Sequence, residues 1–157
     1  MKIPRASAVV STVFGIGYFP QAQGTIMSAI ALPFAVLLST KGGGIVVAGA
    51  AIIVLVIGIL SCSEHVRETG NPDPSECVID ELAGQWIACA FVAFPPFQLA
   101  PFFLAFALFR LFDIWKPWPV YLAETKLHSG LAVMMDDVVA GLMAGGLSFV
   151  VHYLGWL

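Results

Sequence analysis

Apolar residues run along this chain in long blocks, and the polar residues between them are confined to a few short stretches. Gly42–Cys62 carries no charge over a length that matches the roughly 20 residues a helix needs to cross the hydrocarbon core of a bilayer. Thr25–Ser39 is shorter and contains Pro33, so either Lys41 snorkels from its end or the segment starts in the interface. Leu82–Phe94 and Phe97–Phe112 flank Pro95-Pro96, a pair that lacks backbone donors and forces a turn between two short helices. The last block, Val138–Trp156, carries His152, Tyr153 and Trp156, side chains suited to a membrane interface. The pattern predicts an all-α fold, a polytopic membrane helical bundle of about five short transmembrane or membrane-embedded helices. Gly42-Gly-Gly44 reads as the tight turn between the first two, and no internal repeat is read.

Composition sharpens this picture. A chain of 157 residues is one domain by length, 1–157, and 59% hydrophobic with 11% charged residues is far from the soluble balance of about 25% charged. The mean hydropathy of +0.92 agrees, and an integral membrane protein is expected. There is no basic stripe with interleaved aromatics, so no nucleic-acid partner is expected. Cys62, Cys77 and Cys89 are odd in number and lack CxxC spacing, which predicts free thiols rather than a disulfide framework or a zinc site. Lys2 and Arg5 ahead of Ser7–Phe19 imitate a signal peptide, but Gly15, Gly17 and Pro20 interrupt the run and no small-x-small site follows.

The bases orient the bundle. Lys2 and Arg5 precede the first span, Arg67 lies between the second and third, and Arg110, Lys116 and Lys126 lie between the fourth and fifth. Lys41 alone falls on the other side, so the N-terminus and the 63–81 and 110–137 loops are expected in the cytoplasm.

This threading brings Thr25, Glu64, His65, Asp80, Glu81, Arg110, Asp113, Asp136 and Asp137 to one face. A single acid at a helix start is ordinarily a cap, and a single Arg near a cytoplasmic end is ordinary topology. Capping accounts for one acid per helix, whereas Asp80-Glu81 and Asp136-Asp137 are adjacent pairs at a low-dielectric boundary. Like charges so placed repel, and a divalent cation such as Mg²⁺, which takes oxygen ligands and bridges carboxylates to phosphate, relieves them. Arg110 and Asp113, three apart, share a helix face, and Lys116 stands where Pro117 must stop the helix, within reach of an anion.

Other chemistries lack their residues. Gly15-Ile-Gly17 is without the third glycine of a dinucleotide fingerprint and no Gly-Lys-Ser/Thr occurs, so no nucleotide is expected. There is no Gly-x-Ser-x-Gly, Cys62 and Arg67 are separated by four residues rather than the five of a cysteine-phosphatase loop, and His65, His128 and His152 are not spaced as a zinc site.

Three blocks resemble the phosphatidylglycerophosphatase A family. They are Gly15-Ile-Gly-Tyr-Phe-Pro-Gln-Ala-Gln-Gly-Thr25 with Ser28, Cys77-Val-Ile-Asp-Glu-Leu-Ala-Gly84, and Phe109-Arg-Leu-Phe-Asp-Ile-Trp-Lys-Pro-Trp-Pro119 continuing to Gly130-Leu-Ala-Val-Met-Met-Asp-Asp-Val-Val-Ala-Gly141. Where the family usually has Ala-Pro-Gly-Thr this chain has Ala22-Gln23-Gly24-Thr25, and Ser129-Gly130 replaces a Gly-Gly pair; neither change removes an acid or base. The resemblance implies a Mg²⁺-dependent phosphatase of the bacterial inner membrane, multi-pass, that removes the terminal phosphate of phosphatidylglycerophosphate to leave phosphatidylglycerol. The expected active site lies at the cytoplasmic membrane face, with the acyl chains of the phospholipid left among membrane lipid.

In this reading Asp80, Glu81, Asp113, Asp136 and Asp137 are the acids for Mg²⁺, not all touching it at once, and Asp80, Asp113 and Asp137 with Thr25 are the expected catalytic residues. Arg110 and Lys116 clamp the phosphate, with Thr25, Ser28 and His128 completing the substrate-binding set. Thr25 binds phosphate or acts as a nucleophile, and the lack of an adjacent base favours binding. His65 and His128 are candidate proton donors to the leaving alkoxide. The rival reading is a small membrane cation transporter or channel subunit that uses the acids as an ion site. Transporters place such sites near the midplane on interrupted helices, whereas these acids fall at helix ends.

Overall fold

The computed structural model describes residues 5–127 and 129–156. Among the described residues there are six α-helices and no strand: α1 Ala6–Ser11, α2 Gln23–Thr69, α3 Ile79–Ala90, α4 Leu99–Trp115, α5 Val120–Lys126 and α6 Gly130–Tyr153, with a 3₁₀ turn at Ile16–Tyr18. Gln23–Thr69 and Gly130–Tyr153 are long and apolar enough to cross a membrane. The other predicted blocks are helical but shorter. The 12 residues of α3 and 17 of α4 rise about 18 and 26 Å, against a hydrocarbon core of about 30 Å.

The run named α2 is a hairpin. Its backbone leaves helical geometry at Gly42 and Gly43, where Gly43 takes φ 62, ψ −153, a conformation open essentially to glycine alone. The arms on either side, 23–41 and 44–69, lie back along α3. Leu32 and Ala35 of the first arm and Val47 of the second share one core with Ala88 and Cys89 at the C-terminal end of α3 and Val92 just beyond it. Toward the other end of α3, Met27 and Ala31 pack with Val78 and Leu82, while Ile59 and Cys62 pack with Ile79 and Ala83. The Trp86 indole N–H donates to the Ala31 carbonyl at 2.9 Å and ties the first arm in place. The expected turn at Gly42–Gly44 is therefore where the chain reverses.

Helix α3 runs Ile79–Ala90 rather than Leu82–Phe94, and three further boundaries differ from the sequence reading with a local cause. The second arm of α2 continues to Thr69, where Gly70 takes φ 70 and returns its N–H to Val66, so Glu64 and His65 lie inside the helix rather than after it. Helix α6 begins at Gly130 rather than Val138, because nothing in Leu131–Met135 breaks a helix and the chain turns at Ser129 instead, with φ 64 and ψ −157. Asp136 and Asp137 consequently sit inside α6. Helix α4 runs on to Trp115 and stops before Pro117, as expected, with Lys116 left-handed at φ 47, ψ 54.

Helices α3 and α6 approach backbone to backbone. A Cβ on Gly84 would strike the Phe109 ring and the Asp137 carbonyl, and one on Gly141 would meet the Gly84 carbonyl at 2.5 Å. Asp80 lies one turn before Gly84 and Asp137 one turn before Gly141, so this crossing sets the two acid-bearing turns side by side.

Candidate active site

At the end of the bundle opposite Gly42–Gly44, five segments enclose a cleft of about 310 Å³. Helix α3 contributes Asp80 and Glu81, α4 contributes Arg110 and Asp113 with Lys116 just beyond it, and α6 contributes Asp136 and Asp137. The N-terminus of α2 forms a wall through Ala22, Gln23 and Gly24, and the α2–α3 connection closes the side with Asp73 and Pro74. All seven charged residues singled out from α3, α4, α6 and position 116 converge here.

The acids divide by partner. Asp113 is held by Arg110, Nη1 to Oδ2 2.8 Å, and Asp136 by Lys116, Nζ to Oδ2 3.1 Å. Asp80, Glu81 and Asp137 have carboxylate oxygens within 4.8 Å of one another, close enough to share a metal ion. Among the described residues Glu81 Oε2 and Asp137 Oδ2 are buried with no hydrogen-bond partner. Among the described residues no salt bridge is made to these three carboxylates, and like charges in so small a volume repel strongly. Burial, and then Glu81 beside it, hold the Asp80 carboxyl well above the usual carboxylate range.

Capping does not explain these acids. Neither α3 nor α6 has a side-chain cap bond at its start. Instead Asp80 Oδ1 accepts the Glu81 N–H and Asp136 Oδ1 accepts the Asp137 N–H, each at 3.0 Å, so the first acid of each pair is oriented by the backbone of the second. The same small device appears on both helices.

Arg110 bridges elements. Its Nη1 also donates to Ser28 Oγ at 3.4 Å, while Ser28 donates to the Gly24 carbonyl at 2.9 Å. Gly24 leaves room for this meeting, since a Cβ there would run into the Glu81 carboxylate and come within 3.2 Å of Arg110 Nη1. Beside Ser28 the first residues of α2 face the cleft, and the leading N–H groups of a helix have no partner within it, which makes this end an anion seat.

Other predicted residues are placed elsewhere. Thr25 is half-buried on α2, and the cleft wall at that point is made by its neighbours Ala22–Gly24. His65 is buried and bonds Glu76 Oε1 at 3.1 Å, a pairing apart from the cleft. His128 and Lys2 lie outside the described residues. Cys62, Cys77 and Cys89 are free and buried, as expected. Sequence reasoning missed Asp73, Gln23 and Gly24 as cleft residues. It also missed that Asp-x-x-Ala-Gly occurs twice, at Asp80–Gly84 and Asp137–Gly141, a signal that could have announced the α3–α6 crossing.

Comparison with known proteins gives one answer for the family. The family model for phosphatidylglycerophosphatase A matches residues 9–152. The chain belongs to this family. Phosphatidylglycerophosphatase A of Escherichia coli is 30% identical over 98% of this chain and 88% of its own length. The Haemophilus influenzae protein of the same name is 36% identical over 89% of this chain and 85% of its own. A Bacteroides thetaiotaomicron protein, provisionally named a phosphatidylinositol-3-phosphatase, is 34% identical over 90% and 91%. No solved structure matches. The match spans all the elements that build the cleft, so family membership and cleft rest on the same residues.

Proposed function

We propose that the protein is a Mg²⁺-dependent phosphatidylglycerophosphatase of the bacterial inner membrane, with its cleft on the cytoplasmic side. The observation that carries this reading is the division within the cleft: three clustered carboxylates beside two bases and a helix N-terminus. One part of the cleft attracts a metal, and the part next to it attracts a phosphate.

The donor set fits Mg²⁺. Hard oxygen ligands from Asp80, Glu81 and Asp137 would hold it, since their carboxylate oxygens lie within 4.8 Å of one another. Asp113 and Asp136, already paired with bases, support from the flanks. When bound, the ion supplies positive charge against the phosphoryl oxygens as negative charge develops there.

The rest follows from the chain's own groups. The Arg110 guanidinium presents a planar fork to two phosphoryl oxygens, and Asp113 and Ser28 fix its orientation so that little is reorganised during transfer. Lys116 adds a point charge from a left-handed position that only the helix end makes available, with Asp136 restraining its ammonium group. The N-terminus of α2 donates backbone N–H groups to the remaining oxygens. Thr25 and Ser28 stand behind that wall, Ser28 as the anchor for Arg110. Such preorganisation is the main task in phosphoryl transfer.

Membrane placement rests on the charges. Arg5 pairs with Glu68 at 2.7 Å at the cleft end of the bundle, and Arg67, Arg110 and Lys116 lie at that end too, while Lys41 lines the far end with Pro95 and Phe97. That asymmetry favours a cytoplasmic cleft, multi-pass insertion and about five membrane-embedded elements. The transporter reading draws no support from the comparisons. Phosphate release by the purified protein from phosphatidylglycerophosphate, phosphatidylinositol 3-phosphate and phosphatidate, with Mg²⁺ and with a chelator, tests the proposal. Release from phosphatidylglycerophosphate alone, lost in chelator, is expected; equal release in chelator, or none from any lipid, overturns it.

A further inference from the structure

A phosphatase that acts on a lipid must hold a head group in water and its chains in hydrocarbon at the same moment. The structure has an open apolar groove of about 360 Å³ in the seam between the first arm of α2 and α4. Ala29, Pro33 and Val36 line one side and Leu99, Phe102 and Phe103 the other. These are the same two elements that meet at the cleft through Ser28 and Arg110.

The groove and the cleft follow one line. Going down α2, Ala29 is the residue after Ser28, and Val36 is eight residues further than Ser28, about 12 Å by helical rise. Going down α4 in the opposite chain direction, Phe103 lies seven residues before Arg110 and Leu99 eleven, about 10 and 16 Å. Both walls therefore descend from the Ser28–Arg110 contact by about half of the roughly 30 Å hydrocarbon core, the depth of one leaflet. The groove opens laterally, since Ala29, Leu99 and Phe103 are exposed along it.

We infer that this α2–α4 groove receives an acyl chain of the phospholipid substrate and that the head group enters the cleft past Arg110. The inference rests on the lipid-phosphatase reading above and adds where the lipid lies. Chemistry decides the occupant: a molecule with an anion at one end and a long apolar chain at the other satisfies both the basic junction at Arg110 and the uncharged seam below it. Small side chains are essential to the groove. Ala29 contributes only a methyl group to the wall, and Pro33, which cannot continue the helical hydrogen bonding, presents a flat ring rather than a long side chain.

Two measurements on the full chain in vesicles test it. In the first, Ala29→Phe fills the groove at an exposed position outside the lining of the cleft. It should raise KM for long-chain phosphatidylglycerophosphate about tenfold, as loss of a hydrophobic subsite does, and leave turnover of the deacylated head group unchanged. An equal change in both substrates, or none in either, overturns the groove. In the second, phosphatidylglycerophosphate carrying a mid-chain diazirine should label peptides containing Ala29–Val36 and Leu99–Phe103 more than a diazirine phosphatidylcholine does. Labelling no greater than that of the phosphatidylcholine overturns it. Turnover without groove labelling would reject the groove and keep the phosphatase; groove labelling without turnover would keep the groove and reject the phosphatase.

Discussion

The two ends of the bundle both carry a cavity, and the larger one is at the end without the chemistry. Around Gly42–Gly44 and the Pro95-Pro96 turn lies a cavity of about 690 Å³ with Lys41 as its one charged lining residue. The cleft at the other end is less than half that volume and gathers two bases with six acids. A hydrophobic chain leaves loosely packed apolar space wherever helices turn, whereas buried charges assemble only where something compensates their cost. Unpartnered Glu81 Oε2 and Asp137 Oδ2 therefore say more about function than the volume does.

Substitutions can break this contrast, and the largest effect is expected from the acids that lack a base. Asp137→Asn keeps the shape of a buried side chain and removes one charge from the metal group, so turnover should fall by about a thousandfold, the upper end for one electrostatic group. Phosphate release measured on folded, inserted protein checks it, and retained activity would remove Asp137 from the proposed site.

Arg110→Lys comes next. The exchange keeps the charge and loses the planar fork, so it should cost about a hundredfold and approach the loss in Arg110→Ala. Near wild-type rates would make Arg110 a structural partner of Asp113 and Ser28 instead.

A smaller loss is expected away from the reacting groups. Gly141→Ala pushes a methyl against the Gly84 carbonyl and spreads the helices that carry Asp80 and Asp137. Overpacking of this kind costs about 1–3 kcal/mol, and activity should fall about tenfold or more as the acids separate. Thermal unfolding and turnover in the same preparation read both effects; an unchanged midpoint would show that the crossing relaxes freely.

The far end should be nearly silent. Lys41→Ala ought to leave turnover within about twofold of wild type, as an exposed substitution away from any network does. Lys41→Cys should react with an impermeant thiol reagent outside intact cells while Asn71→Cys should not, in a background without native cysteines. Labelling of Asn71→Cys from outside would reverse the proposed orientation.

Much of the site was legible without coordinates. Asp80-Glu81, Arg110, Asp113, Lys116 and Asp136-Asp137 stand out because a charge beside an apolar block is costly. The turns at Gly42–Gly44 and at Pro95-Pro96 were equally plain, since both act through the local backbone. Boundaries were harder. The apolar pattern starts the last helix at Val138 and leaves Asp136 and Asp137 at its edge, but inside α6 one is paired with Lys116 and the other faces the acid group, and neither fact is local in sequence.

What the sequence determined by itself, then, was the class of molecule and the set of charged groups, because hydropathy and helix-breaking chemistry are properties of short stretches. Only the tertiary structure decided how those groups divide. Asp113 and Asp136 take bases in salt bridges while Asp80, Glu81 and Asp137 cluster, an outcome that depends on Gly84 meeting Gly141 and on Ser28 of one helix reaching Arg110 of another. Contacts between residues 57 or 82 positions apart along the chain are set by how helices pack, and packing is decided by the fit of whole surfaces rather than by any one segment.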